Sequence, residues 1–170
     1  MKRGALLVVL ALMALGCMPP PRVIPDPVVQ YLPISAEEYA PYLKAGTAQV
    51  TGQAFLKTRG GDVKVGAGSP VTLDPITSYS RPWWNNLGSI YQYRGMKPDA
   101  PEFSQARKEI IADAQGRFVF SNVPAGSYFL RSEVTWEAPS TGYLPNIQGG
   151  LVFKEIVVKE GEKVDVILTW

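Results

Sequence analysis

Four aromatic side chains that can do recognition chemistry fall close together, Trp83, Trp84, Tyr91 and Tyr93, with Tyr79 and Phe103 to either side. Flat apolar rings that also carry an N–H or O–H suit stacking on a sugar or a peptide, and they suit anchoring a protein partner. The same rings can instead fold back and cover an open face or edge of a sheet. Residues 76–106, which hold them, also contain Pro82, Pro98 and Pro101 and interrupt the strand rhythm on both sides. The stretch is long for a hairpin connection, and its aromatic density argues against disorder. We take Trp83, Trp84, Tyr91 and Tyr93 as the candidate binding surface, with the covering role as the open alternative.

Other chemistries are limited by residue type. The chain has no histidine, so Ser–His and Cys–His nucleophile pairs and histidine-ligated zinc sites are excluded. No Gly-rich phosphate loop followed by Lys-Ser or Lys-Thr is present. Asp62, Asp74, Asp99, Glu102 and Asp113 fall at turns or loop edges, without the spacing of a calcium loop, and are expected to be solvated. Asp113 is expected to bond backbone amides in its own turn. Arg59-Gly-Gly-Asp62 reads as a plain hairpin turn in preference to a ligand loop. The reading is a protein that is not an enzyme and holds no cofactor and no metal.

Lys2 and Arg3 precede an apolar run of eleven residues, Ala5 to Leu15. That run is too short for a bilayer core, which needs about 20 residues, so residues 1–16 read as a secretory signal peptide. Gly16 directly before Cys17, the only cysteine, resembles a bacterial lipobox, although Ala14 stands where a branched apolar residue is usual. The likeness implies lipidation of Cys17 and attachment to a membrane through that lipid. An ordinary secretory signal with an incidental cysteine is the alternative. Met18, in place of an aspartate after the cysteine, implies an outer-membrane location facing the periplasm in a Gram-negative envelope. Removing residues 1–16 takes away Lys2 and Arg3 and no acid, which leaves 15 basic against 15 acidic residues. That balance gives no electrostatic footprint for nucleic acid. Residues 17–34 form a proline-rich tether with a reach of up to about 50 Å in the extended limit.

The elements that must position these groups are mostly strands. Ser35-Ala-Glu-Glu38 is a capping box, so a short helix is predicted there, limited by Pro41 and Gly46. Strand alternation runs from Ala48 to Leu56 and over Val71-Thr-Leu73, which stops at Pro75. Within the insertion, Pro82 suits the first position of a helix to about Tyr93, and 95–101 should be irregular. Alternation resumes at Lys108–Ala112 and Arg117–Phe120. Next, Tyr128, Leu130, Val134 and Trp136 oppose Arg131, Glu133 and Thr135. Leu151–Val158 and Lys163–Trp170 follow, with Lys159-Glu-Gly-Glu162 as a hairpin turn. Val164, Val166 and Leu168 oppose Lys163, Asp165 and Thr169, and Trp170 is read as packing into the core. The sum is a seven-stranded antiparallel Greek-key sandwich, one domain over residues 35–170.

Asp113-Ala-Gln-Gly-Arg-Phe-Val-Phe and Val123-Pro-Ala-Gly-Ser-Tyr128 together resemble the signature of the carboxypeptidase regulatory-like domain, a prealbumin-like sandwich. Val50–Ala54, Gly68–Leu73 and Glu162–Leu168 are similar to that family's other strands, so the likeness covers Thr47 to Trp170. Gly52–Asp62 also resembles bacterial secreted proteins assigned to this family without a settled activity. The aromatic insertion departs from the family pattern. Catalysis known in neighbouring groups, the zinc carboxypeptidases, prealbumin-like ureide hydrolases and intradiol dioxygenases, depends on histidine and has no residue here to carry it. The resemblance therefore implies a non-enzymatic, lipid-anchored envelope protein that binds or scaffolds a protein partner. A carbohydrate-binding or surface-polymer accessory module is the alternative.

Overall fold

A computed structural model describes residues 33–85, 100–139, 142 and 144–170, and of Trp83 the backbone alone. Cys17, the signal segment, the tether before residue 33, Tyr91, Tyr93 and the Trp83 side chain lie outside the described residues. The same holds for the expected continuation of a helix from Pro82 to Tyr93 beyond Asn85.

In chain order the strands are β1 (Ala48–Lys57), β2 (Val63–Val65), β3 (Pro70–Pro75), β4 (Lys108–Ile111), β5 (Arg117–Val123), β6 (Gly126–Ala138), β7 (Asn146–Val158) and β8 (Lys163–Leu168). The helices are α1 (Ala36–Tyr39), which runs into a 3-10 turn (Ala40–Leu43), α2 (Arg81–Asn85) and α3 (Pro101–Ala106). One sheet is built around β1, which pairs with β2, β5 and β8; the other has the order β4-β3-β6-β7. The molecule is an all-β sandwich, as the alternation requires. Two details differ from the expectation. The short β2 makes eight strands among the described residues, and β8 runs parallel to β1, Val50 beside Val164 and Ala54 beside Leu168.

The parallel pairing follows from two turns that change sheets. The turn at 124–125 takes the chain from β5 in one sheet to β6 in the other. Lys159–Glu162 leads from β7 to β8, so it is a crossover between sheets and not the hairpin turn its composition suggests. Its closure is local: Glu162 N–H donates to the Lys159 carbonyl at 3.2 Å, and Lys159 N–H donates to Glu162 Oε2 at 2.8 Å.

The sheets meet over the positions that alternation marks as inward. Val50, Ala54, Leu56, Leu73, Phe118, Phe120, Tyr128, Leu130, Val134, Val152, Val166 and Leu168 form one buried cluster, with Trp136 packed at its margin. Gly52 lies in that layer because nothing larger fits. A Cβ there would sit 2.0 Å from the Val166 carbonyl oxygen and 2.5 Å from the Phe118 ring. Asp113 behaves as expected, its Oδ1 accepting from Gln115 N–H and Arg117 N–H at 2.8 Å each, around Gly116 at φ 73°. Tyr128 O–H donates to the Pro124 carbonyl at 2.8 Å and ties the next turn to the core. Trp170 does not pack into the core: it is 72% exposed beyond the end of β8, where no facing strand remains to receive it.

Candidate functional site

Each sheet has an outer face, and the two are finished differently. The outer face of β4-β3-β6-β7 carries Asp74, Phe129, Arg131, Phe153 and Glu155. The α1 region, the 76–85 segment and α3 close over part of it. Trp84 stacks on Phe129, with centroids 4.5 Å apart and planes 30° apart, and is 3% exposed. Its ring therefore faces the sheet and offers no surface for stacking a ligand, the covering role having prevailed at this residue. Hydrophobic pairing across the layer explains why: Phe129 would otherwise leave a large apolar ring on an open sheet face.

A second small core holds this cap together. Tyr39 from α1, Tyr79, Ala100, and Phe103 and Ala106 from α3 form a buried cluster, with Ile34 and Tyr42 packed against it. Helix α3 was not foreseen, although Pro101 at its first turn, Glu102 beside it and the i, i+3 pair Phe103/Ala106 are its marks. Ser35 Oγ accepts from Glu38 N–H at 3.4 Å, as a capping box predicts. The Glu38 carboxylate reaches instead to Ser78, whose N–H and O–H each donate to it at 2.7 Å. Those two bonds hold the Glu38 carboxyl below its ordinary range. Burial pushes the Tyr39 hydroxyl up to about 12, against the lowering effect of its hydrogen bonds with Thr77 and Ser80.

Asp74 was expected to be solvated and is not. It is 0% exposed at the end of β3, with Arg107 donating from both Nε and Nη2 and Arg131 donating from Nε at 3.3 Å. Arg107 also lies 4.7 Å over Phe103, and Arg131 lies 5.7 Å over Trp84. Arg81 of α2 reaches Glu155 of β7 with a two-pronged ion pair, and its hydrogen bonds lower the Glu155 pKa. Arg81, Arg107 and Arg131, with Asp74 and Glu155, thus link the cap to this face through paired charges.

The other outer face, over β5, β1 and β8, is bare among the described residues. Outward positions of three strands line an open groove of about 340 Å³: Thr51 and Gln53 from β1, Arg117 and Val119 from β5, Asp165 and Ile167 from β8. Register puts them in two rows, Val119–Thr51–Asp165 and Arg117–Gln53–Ile167. Thr51 O–H donates to Asp165 Oδ1 at 2.9 Å, and Gln53 Nε2 donates to the Gln115 carbonyl at 2.7 Å, so both side chains are held in place. Val119 and Ile167 remain 53% and 56% exposed. A carboxylate, an amide and a guanidinium beside small apolar surfaces can bond the hydroxyls of an extended polar ligand and touch its C–H faces. No group of three His, Cys, Asp or Glu side chains that could hold a metal ion occurs among the described residues. The outward sense of Lys163, Asp165 and Thr169 was legible from alternation; their meeting with Thr51 and Gln53 depends on the parallel pairing, for which no sequence signal was read.

No family model matches the chain, and no curated protein matches it. Among solved structures the chain is similar to a protein of Pseudomonas aeruginosa described as a candidate carbohydrate-binding protein. The two share 28% identity with a TM-score of 0.67, over 83% of this chain and 100% of that one. The minor pilin of Streptococcus agalactiae matches at 14% identity and a TM-score of 0.35, over 74% of this chain and 44% of the pilin, too low to bear on the fold.

Proposed function

We propose that the protein is a non-catalytic, glycan-binding module, anchored in the cell envelope by a lipid on Cys17 and built on the carboxypeptidase regulatory-like plan. The observation that carries the binding reading is the bare groove, in which Thr51, Gln53, Arg117 and Asp165 present hydrogen-bonding groups between the exposed side chains of Val119 and Ile167. The likeness to a candidate carbohydrate-binding protein supports the ligand class. The lipobox-like Gly16-Cys17 and the preceding apolar run support the anchor, with attachment to the outer membrane on its periplasmic side. A glycan ranks above a protein partner because the groove presents a row of hydrogen-bonding groups and the similar structure is described as a candidate carbohydrate-binding protein.

Titration of the 15N-labelled protein with envelope glycan fragments, followed by NMR, tests this reading. Shift changes are expected at Thr51, Gln53, Arg117 and Asp165. Changes confined to the Trp84 side of the molecule would place the ligand on the other sheet and defeat the reading.

A further inference from the structure

The charges around the groove narrow the ligand. Outward positions of the bare sheet extend past the groove at both ends. Lys163 stands beside Gln49 at one end of β1, Arg117 stands opposite Gln53 in the middle, and Lys57 ends the strand. All three are exposed and make no ion pair among the described residues. Each level lies four residues along β1 from the next, at positions 49, 53 and 57, so the cations follow the strand at intervals of about 13 Å. One carboxylate, Asp165, lies between the first two levels and is held by Thr51. The contrast with the capped sheet is instructive, since there each arginine at the cap, Arg81, Arg107 and Arg131, is matched to a carboxylate.

We infer that the groove takes a linear acidic polysaccharide, laid along β1 with its carboxylates on Lys163, Arg117 and Lys57 and its hydroxyls on the Thr51–Asp165 pair. This rests on the glycan-binding reading above and specifies its ligand. A polymer with an acid on every second or third sugar can meet well-separated cations and still offer hydroxyls to Asp165. Nucleic acid fits less well. A strand in a duplex carries a phosphate about every 3.4 Å along the axis, so phosphates would fall against Asp165.

The test is isothermal titration of the full chain in detergent with oligosaccharides of hyaluronan and of unsulfated chondroitin, which carry an acid on every second sugar, each beside its carboxyl-reduced form. Binding of at least one acidic form is expected, at least tenfold tighter than its reduced form and weakening as salt rises. Arg117→Ala and Lys163→Ala should each weaken it about five- to tenfold with an unchanged melting temperature, and Asp165→Asn should hold or strengthen it. Equal affinity for acidic and reduced forms across the panel overturns the inference and leaves the glycan reading standing. No binding to any form overturns both. Tighter binding of a single-stranded oligonucleotide, lost in the same variants, also overturns the inference by assigning the stripe to nucleic acid.

Discussion

The two outer faces of this sandwich carry similar raw material and treat it in opposite ways. Both hold cationic side chains, carboxylates and large apolar side chains on a sheet. Over β3, β6 and β7 the arginines converge on buried Asp74 or pair with Glu155, and Phe129 lies under Trp84. Over β5, β1 and β8 the cations stand apart, and Val119 and Ile167 stay in solvent. Matched charges and stacked rings satisfy each other and lend themselves to holding structure. Unmatched charges on a rigid frame remain available for a ligand. The difference teaches that an aromatic ring is not by itself a binding surface: Trp84 seals one sheet, and the open groove lies on the other.

Breaking the capped face should cost most. Asp74→Ala leaves two partly buried guanidiniums without their carboxylate, and a loss of about 3–5 kcal/mol in urea unfolding is expected. Affinity for a groove ligand should persist wherever the variant is folded. A stability change below about 1 kcal/mol would mean that the two arginines find water as readily as they found Asp74. Trp84→Ala removes a ring stacked on Phe129 and should cost about 3 kcal/mol, read by the shift in thermal midpoint. If the midpoint holds and glycan capture is lost, the ring belongs to the binding surface after all, and the contrast between the faces collapses.

A pH ramp separates the faces more gently. The folded state raises the Tyr39 pKa to about 12 from an ordinary 10.0. The neutral hydroxyl is therefore the form the fold favours, and its contribution is complete below pH 10. It should be lost as pH rises from 10 through about 12, with the second core loosening, visible as changed Tyr and Trp fluorescence. A flat signal across that window would show that Tyr39 is not sealed within the cap. On the bare face, Arg117→Ala should shift stability by less than about 0.5 kcal/mol while changing affinity, the smallest stability effect of the series.

Much of the sandwich was legible because its evidence is local. Phe118 and Phe120 alternate within a few residues, Asp113 closes a turn on amides two and four residues ahead, and Tyr128 answers Pro124 four residues back. What was not legible depends on distant partners. Asp74 looks like a loop-edge acid until Arg107 and Arg131 are brought to it across the sheet. Trp84 reads equally well as a binding ring or a covering ring until Phe129 is seen beneath it. The groove joins Thr51 to Asp165, which are 114 residues apart, through a parallel pairing that alternation cannot specify.

That pairing has a bearing on how the protein comes to be folded. The sheet that carries the groove joins the first described strand to the last, so closing it means bringing together segments separated by more than a hundred residues. Contacts this distant in sequence form slowly, because the entropy of the long intervening loop must be overcome before the pairing rewards it. While the chain is still being synthesised, β1 has only β2 and β5 to pair with, and its β8 edge stays open. The frame of the groove is therefore among the last parts of the molecule to exist, and a chain stopped short of residue 163 would lack one wall of it altogether.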